Sequence, residues 1–118
     1  MITQDYVYNA TIENIVDGDT IDALVDLGFT VLVNIRFRLY GLDTMETKDK
    51  DPNKRELAKK AKEYMVNNCL NKQVTIKSHK TDKYGRWLAE IYLPDGSIVN
   101  NSLLTEGLAV PYFGGAKV

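Results

Sequence analysis

The chain has 118 residues, of which 26% are charged and 44% hydrophobic, and its net charge is −1. That length suits one domain with one core, and the near-neutral balance argues against a simple polyelectrolyte binder. One cysteine, Cys69, excludes an internal disulfide, and with a single histidine a Cys/His zinc site is excluded as well. No apolar run approaches membrane-spanning length. Met1-Ile2-Thr3-Gln4-Asp5 lacks the basic and apolar regions of a signal peptide, so a cytoplasmic chain with no membrane partner is expected.

Residues 6–16 are rich in β-branched and aromatic side chains and read as a strand. Asp17-Gly18-Asp19 is a turn signal, and 20–27 reads as the next strand, ending at Gly28. Residues 30–40 show the clearest alternation. Val31, Val33, Ile35, Phe37 and Leu39 are expected to face the core, which puts Arg36 and Arg38 together on the other face. The polar stretch 48–53 is expected to be a mobile surface loop. A helix follows, capped by Asp51 with Pro52 in its first turn, running to about Asn68. Its apolar stripe is Leu57, Ala58, Ala61, Tyr64 and Met65, with the lysines outward. Strands are expected at 73–78 and 86–93, a short helix at 98–106 stopped by Gly107, and an extended segment at 108–113. Residues 1–113 form the domain in this reading, and 114–118 a flexible tail. Five strands with a helix after the third match an OB-fold, a five-stranded Greek-key barrel of mainly β, α+β class with about two helices. Element order alone leaves other small α+β folds open.

Acidic residues dominate before Lys48, where Arg36 and Arg38 are the only basic ones, whereas 48–62 and the group Lys77, Lys80, Lys83 and Arg86 are basic. An acidic pocket beside basic flanks suits metal-assisted cleavage of a phosphodiester, although Lys59, Lys60 and Lys62 alone read as a solvated helix face. Asp19 and Asp43 are the candidate metal ligands, with the Thr44 carbonyl as a further oxygen; such donors suit hard cations. Taken alone, Asp17-Gly18-Asp19 is a plain turn, and it is no EF-hand, because Asp22 stands where that loop needs glycine. Glu46 is the candidate general base or water-positioning residue, and in isolation reads equally as a loop glutamate. Arg38 and Arg86 are candidates to hold phosphate oxygens through their guanidinium forks, or else to form surface ion pairs. Lys83 and Tyr84 are candidates for a flanking phosphate and base, with Tyr84 reading equally as a turn aromatic.

These signals gain weight together. Val16-Asp17-Gly18-Asp19-Thr20-Ile21, Phe37-Arg38-Leu39, Asp43-Thr44-Met45-Glu46-Thr47-Lys48, Thr81-Asp82-Lys83-Tyr84-Gly85-Arg86 with Leu88-Ala89, and Val99-Asn100 followed by Gly107-Leu108-Ala109 resemble the staphylococcal nuclease (thermonuclease) family. The resemblance runs from about Tyr8 to Ala109. It implies an OB-fold barrel and calcium-dependent hydrolysis of DNA and RNA, leaving 3′-phosphate and 5′-hydroxyl ends. By position, Asp19, Asp43 and the Thr44 carbonyl correspond to calcium ligands, and Arg38, Glu46 and Arg86 to catalytic residues. Lys83 and Tyr84 match substrate contacts, and Tyr112 more loosely matches a nucleotide-contacting tyrosine. A monomer acting on single strands, with calcium rather than magnesium, is the expectation. Met45 departs from the family's usual proline, and the short C-terminus resembles phage- or plasmid-type members. The rival reading is a non-catalytic OB-fold module that binds nucleic acid through a basic groove and aromatics.

Overall fold

The structure, a computed structural model, describes residues 6–79, 81 and 84–112. Lys83 and the expected tail at 114–118 lie outside the described residues. Five long strands form the barrel: β1 (Val7–Asp17), β2 (Thr20–Asp26), β3 (Leu32–Leu39), β5 (Gln73–His79) and β6 (Trp87–Tyr92). Two short strands, β4 (Leu42–Asp43) and β7 (Val110–Pro111), pair with each other outside it. Two helices, α1 (Pro52–Cys69) and α2 (Val99–Thr105), complete the fold.

The barrel closes in the order β1-β2-β3-β6-β5. Every neighbouring pair is antiparallel except β3 and β6, which run parallel. This is the mainly β, α+β barrel with OB-type connectivity that the element order suggested. Alternation fills the interior with Ile21, Ala23 and Val25 of β2, Phe37 and Leu39 of β3, Val74 and Ile76 of β5, and Ala89 and Ile91 of β6. β1 breaks its own alternation: Ala10 and Ile12 are buried, and so is Ile15. Register shifts between Ile12 and Asn14 and between Ile15 and Asp17 explain the change of phase, because a bulge turns the following side chains to the other face and bends the strand.

One strand departs from its expected pattern. In β3 only Phe37 and Leu39 of the predicted core set are fully buried; Val33 and Ile35 are half-buried and Val31 is exposed. The cause is pairing. β6 accompanies β3 only over Phe37–Leu39, so the earlier half of β3 lies beside β2 alone. The strand also starts later than expected, at Leu32, because Phe29 and Thr30 take positive φ in the connecting turn.

α1 begins as its sequence requires: Asp51 accepts from the Asn53 N–H at 2.9 Å and Pro52 occupies the first turn. It buries Ala58, Ala61, Met65 and Cys69, whereas Leu57 is exposed and Tyr64 half-buried. The buried stripe is therefore narrower than expected and extends to Cys69. Met65 and Cys69 join the barrel core, as do Val99 and Leu103 of α2. Among the described residues, no helix is long and apolar enough to cross a membrane.

Candidate active site

The site is built at the end of the barrel where β1 turns into β2 and β3 ends. Thr20 pairs with Arg38 across β2 and β3, and the Leu39 N–H donates to the Asp19 carbonyl at 2.8 Å. The Asp17–Thr20 turn is thereby fixed to the strand that carries Arg38. From the other side α1 presses on the turn. A methyl group at Gly18 would sit 2.7 Å from the Ala61 Cβ and 3.2 Å from the Thr44 Cγ2, so only glycine fits between helix and loop. Asp43 is held by the β4–β7 pair, in which it lies opposite Val110.

The strands bring Asp19, Arg38 and Asp43 into one cluster. Arg38 is 7% exposed. Its Nη2 donates to Asp43 Oδ1 at 3.0 Å and to the Leu42 carbonyl at 3.2 Å, while Nη1 stands 3.6 Å from Asp19 Oδ2. Asp19 Oδ1 accepts from the Thr20 hydroxyl at 3.0 Å, and Asp19 Oδ2 from the Thr44 N–H at 3.3 Å. Two carboxylates thus meet one guanidinium in a nearly buried place. Arg36, on the same face of β3, has a different fate. It forms a forked pair with Asp22 at 2.7 and 3.1 Å, exposed to solvent. The hydrogen bond from Arg36 holds the Asp22 carboxyl below its usual range, and Asp22 raises the Arg36 guanidinium in turn.

A cleft of about 330 Å³ opens over this cluster. Asp19, Arg38, Asp43, Thr44, Glu46 and Arg86 all line it, together with Asp17, Thr20, Met45, Thr47 and Lys48. Four chain segments therefore meet in one cavity. Tyr84 stands beside it, mostly exposed, with the Arg86 guanidinium carbon 5.1 Å from its ring centroid. Tyr112 approaches Arg38, whose guanidinium carbon lies 5.4 Å from its ring centroid.

The donor set fits a hard divalent cation. Among the described residues no group of three or more His, Cys, Asp and Glu is placed to hold a metal. A site here would consist of the Asp19 and Asp43 carboxylates with backbone carbonyl and water oxygens, a composition normal for calcium or magnesium. A divalent ion would add two positive charges beside these carboxylates, which favours a bound phosphodiester.

Several parts of the site carry no local sequence signal. Asn100 of α2 is buried and donates to the carbonyls of Tyr40 at 2.9 Å and Ala89 at 3.0 Å, and accepts from the Ile91 N–H at 3.0 Å. It ties the chain just past Arg38 to β6, the strand that follows Arg86. The Gly18–Ala61 approach and the β4–β7 pair likewise appear only when distant segments meet. Asp17 and Lys48 lie inside quoted motifs, and their place on the cleft wall is new.

An acidic pair beside guanidinium groups, in a cleft at the end of an OB-type barrel, is what the fold and the site present. Comparison with known proteins gives the family. The family described as "Staphylococcal nuclease homologue" matches residues 36–117, and the chain belongs to that family. Endonuclease YhcR of Bacillus subtilis (strain 168) is 33% identical over 114 residues, covering 90% of this chain and 9% of its own length. Endonuclease YncB of the same organism is 34% identical over 110 residues, covering 90% and 49% respectively. An uncharacterized endonuclease of Escherichia coli O157:H7 is 30% identical over 98 residues, covering 83% and 57%. The chain thus spans between 9% and 57% of the length of these relatives.

Proposed function

We propose that the chain is a metal-dependent nuclease that hydrolyses phosphodiester bonds of DNA and RNA. The observation that carries this reading is the single cleft lined by Asp19, Arg38, Asp43, Glu46 and Arg86. The endonuclease names of the relatives point the same way. Calcium is the metal we favour, held by Asp19, Asp43 and the Thr44 carbonyl, with magnesium second. When bound, it would neutralise phosphate charge and polarise the bond under attack. Glu46 orients the attacking water and accepts its proton. Arg38 and Arg86 hold the phosphate oxygens as negative charge builds on them, and such preorganised donors stabilise a transition state more than a ground state. Tyr84, beside the cleft, is a proposed substrate contact, and Lys83 is proposed for the same role. The family resemblance supports 3′-phosphate and 5′-hydroxyl products, single-stranded substrate and a monomer.

A binding module without catalysis fits less well. Carboxylates facing a phosphate repel it unless a cation is present, and a simple binder gains nothing from them. The test is cleavage of heat-denatured DNA by purified protein in calcium, in magnesium and in chelator. Cleavage in calcium, absent in chelator and reduced about 10²–10³-fold in Arg86→Ala, is the expected result. No cleavage in any buffer, with tight salt-sensitive binding to the same strand, would replace the enzyme with the binding module.

A further inference from the structure

The resemblance assigns Tyr112 to the nucleotide, but its surroundings indicate another task. We propose that Tyr112 is a positioning residue that acts through Arg38. Its ring faces the guanidinium at 5.4 Å. Its N–H donates to the Gly41 carbonyl at 3.0 Å. The two residues before it, Val110 and Pro111, pair with Asp43 and Leu42. Those are the residues whose Oδ1 and carbonyl accept from Arg38 Nη2. One short C-terminal segment therefore holds both of that nitrogen's acceptors and sets a ring beneath the guanidinium carbon.

The two kinds of contact constrain different motions. Hydrogen bonds to Asp43 and Leu42 fix where the guanidinium lies within its own plane. The Tyr112 ring draws the guanidinium carbon toward itself through cation–π attraction, without competing for the N–H groups. Placement matters for a fork that must meet two phosphate oxygens, because small errors of position cost rate steeply. Asp43, a proposed metal ligand, is tethered by the same strand, so the strap sets guanidinium and carboxylate together.

The kinetic part of the test rests on the nuclease reading; the spectroscopic part does not. Tyr112→Phe, Tyr112→Trp and Tyr112→Leu would be compared with the parent protein. The first readout is the Arg38 Nε–H resonance, assigned by its loss in Arg38→Lys. The second is kcat and KM on a single-stranded oligonucleotide in calcium. An aromatic face shields the group beneath it. The resonance should stay upfield in the Phe and Trp variants and move downfield in the Leu variant. kcat should be kept in Phe and fall on the order of tenfold in Leu, with KM within about twofold of the parent. An unchanged Arg38 resonance in the Leu variant would overturn the proposal. So would a Phe variant as impaired as Leu with raised KM, since that would place the action in the hydroxyl on the substrate. If the parent protein cleaved nothing, the nuclease reading would fail, while the resonance would still decide whether the Tyr112 ring lies against Arg38.

Discussion

Arg38 donates to Asp43 at 3.0 Å from a side chain only 8% exposed, and the same guanidinium lies 3.6 Å from Asp19. It is the counter-charge that lets two carboxylates share a nearly buried corner. Removing one partner of a buried pair leaves uncompensated charge, at a cost of roughly 3–5 kcal/mol. Arg38→Met is therefore expected to melt well below the parent protein in chelator. Calcium should raise the melting temperature of the variant more than that of the parent, because the cation takes the place of the lost positive charge. Ligand at about a hundred times its dissociation constant stabilises by roughly 2.7 kcal/mol. Thermal melts in chelator and in saturating calcium check this, and equal calcium shifts in both proteins would refute it.

Gly18 has no room for a side chain against Ala61. Gly18→Ala should cost about 1–3 kcal/mol through overpacking and displace the turn that carries Asp19. The close contact is with the Ala61 Cβ, so adding Ala61→Gly should restore part of the loss, less about 1 kcal/mol for glycine within a helix. A double-mutant cycle by urea denaturation measures the coupling. Simple additivity of the two changes would show that the contact is not the cause.

Asn100 satisfies two carbonyls and one N–H in the interior. Asn100→Ala strands all three, and each buried group left without a partner costs about 1–3 kcal/mol, so a total loss of roughly 3 kcal/mol or more is expected. Asn100→Asp should be at least as damaging at neutral pH, because a carboxylate would face two carbonyl oxygens. Equilibrium urea unfolding of both variants is the measurement, and a loss under about 1 kcal/mol for Asn100→Ala would mean that water replaces the side chain.

Burial pushes the Cys69 thiol from 9.0 to about 11, with the Lys72 charge opposing part of the rise. The folded value lies above the unfolded one, so the neutral thiol is favoured by folding. Its contribution is intact below about pH 9, declines as pH rises, and is gone above about pH 11. At 1.36 kcal/mol for each tenfold change in acidity, roughly 2–3 kcal/mol disappears across that window. Cys69→Ala should flatten this part of the alkaline limb relative to the parent protein. Unfolding free energies measured from pH 8 to pH 11 test the difference, and parallel curves would refute it.

Much of the fold could be read along the chain because it depends on local chemistry. Residues 20–27 and 73–78 read as strands, and Asp51-Pro52 marked the start of α1, since a capping carboxylate and a fixed φ act within one turn. The candidate site residues could be named because their motifs sit at strand ends and turns, where composition is least typical of a core. Their convergence was another matter. Asp19, Arg38, Asp43, Glu46 and Arg86 reach one cleft only because β2, β3 and β6 are neighbours in a closed barrel. The sharing of Arg38 by Asp19 and Asp43 depends on the same closure.

By itself the amino-acid sequence determined the five long strands and the two helices, and which residue types are available for metal and phosphate chemistry. Those choices follow from backbone sterics and side-chain periodicity over a few residues. Tertiary structure alone decided that Arg38 is buried while Arg36, two positions earlier on the same face, stays in solvent with Asp22. It also decided that Asn100 joins the end of β3 to β6, that Gly18 must be glycine because Ala61 lies behind it, and that the Tyr112 ring lies against Arg38. Each of these is a contact between residues far apart in the chain. Its energy exists only once the barrel has closed, so no periodicity or local propensity can announce it.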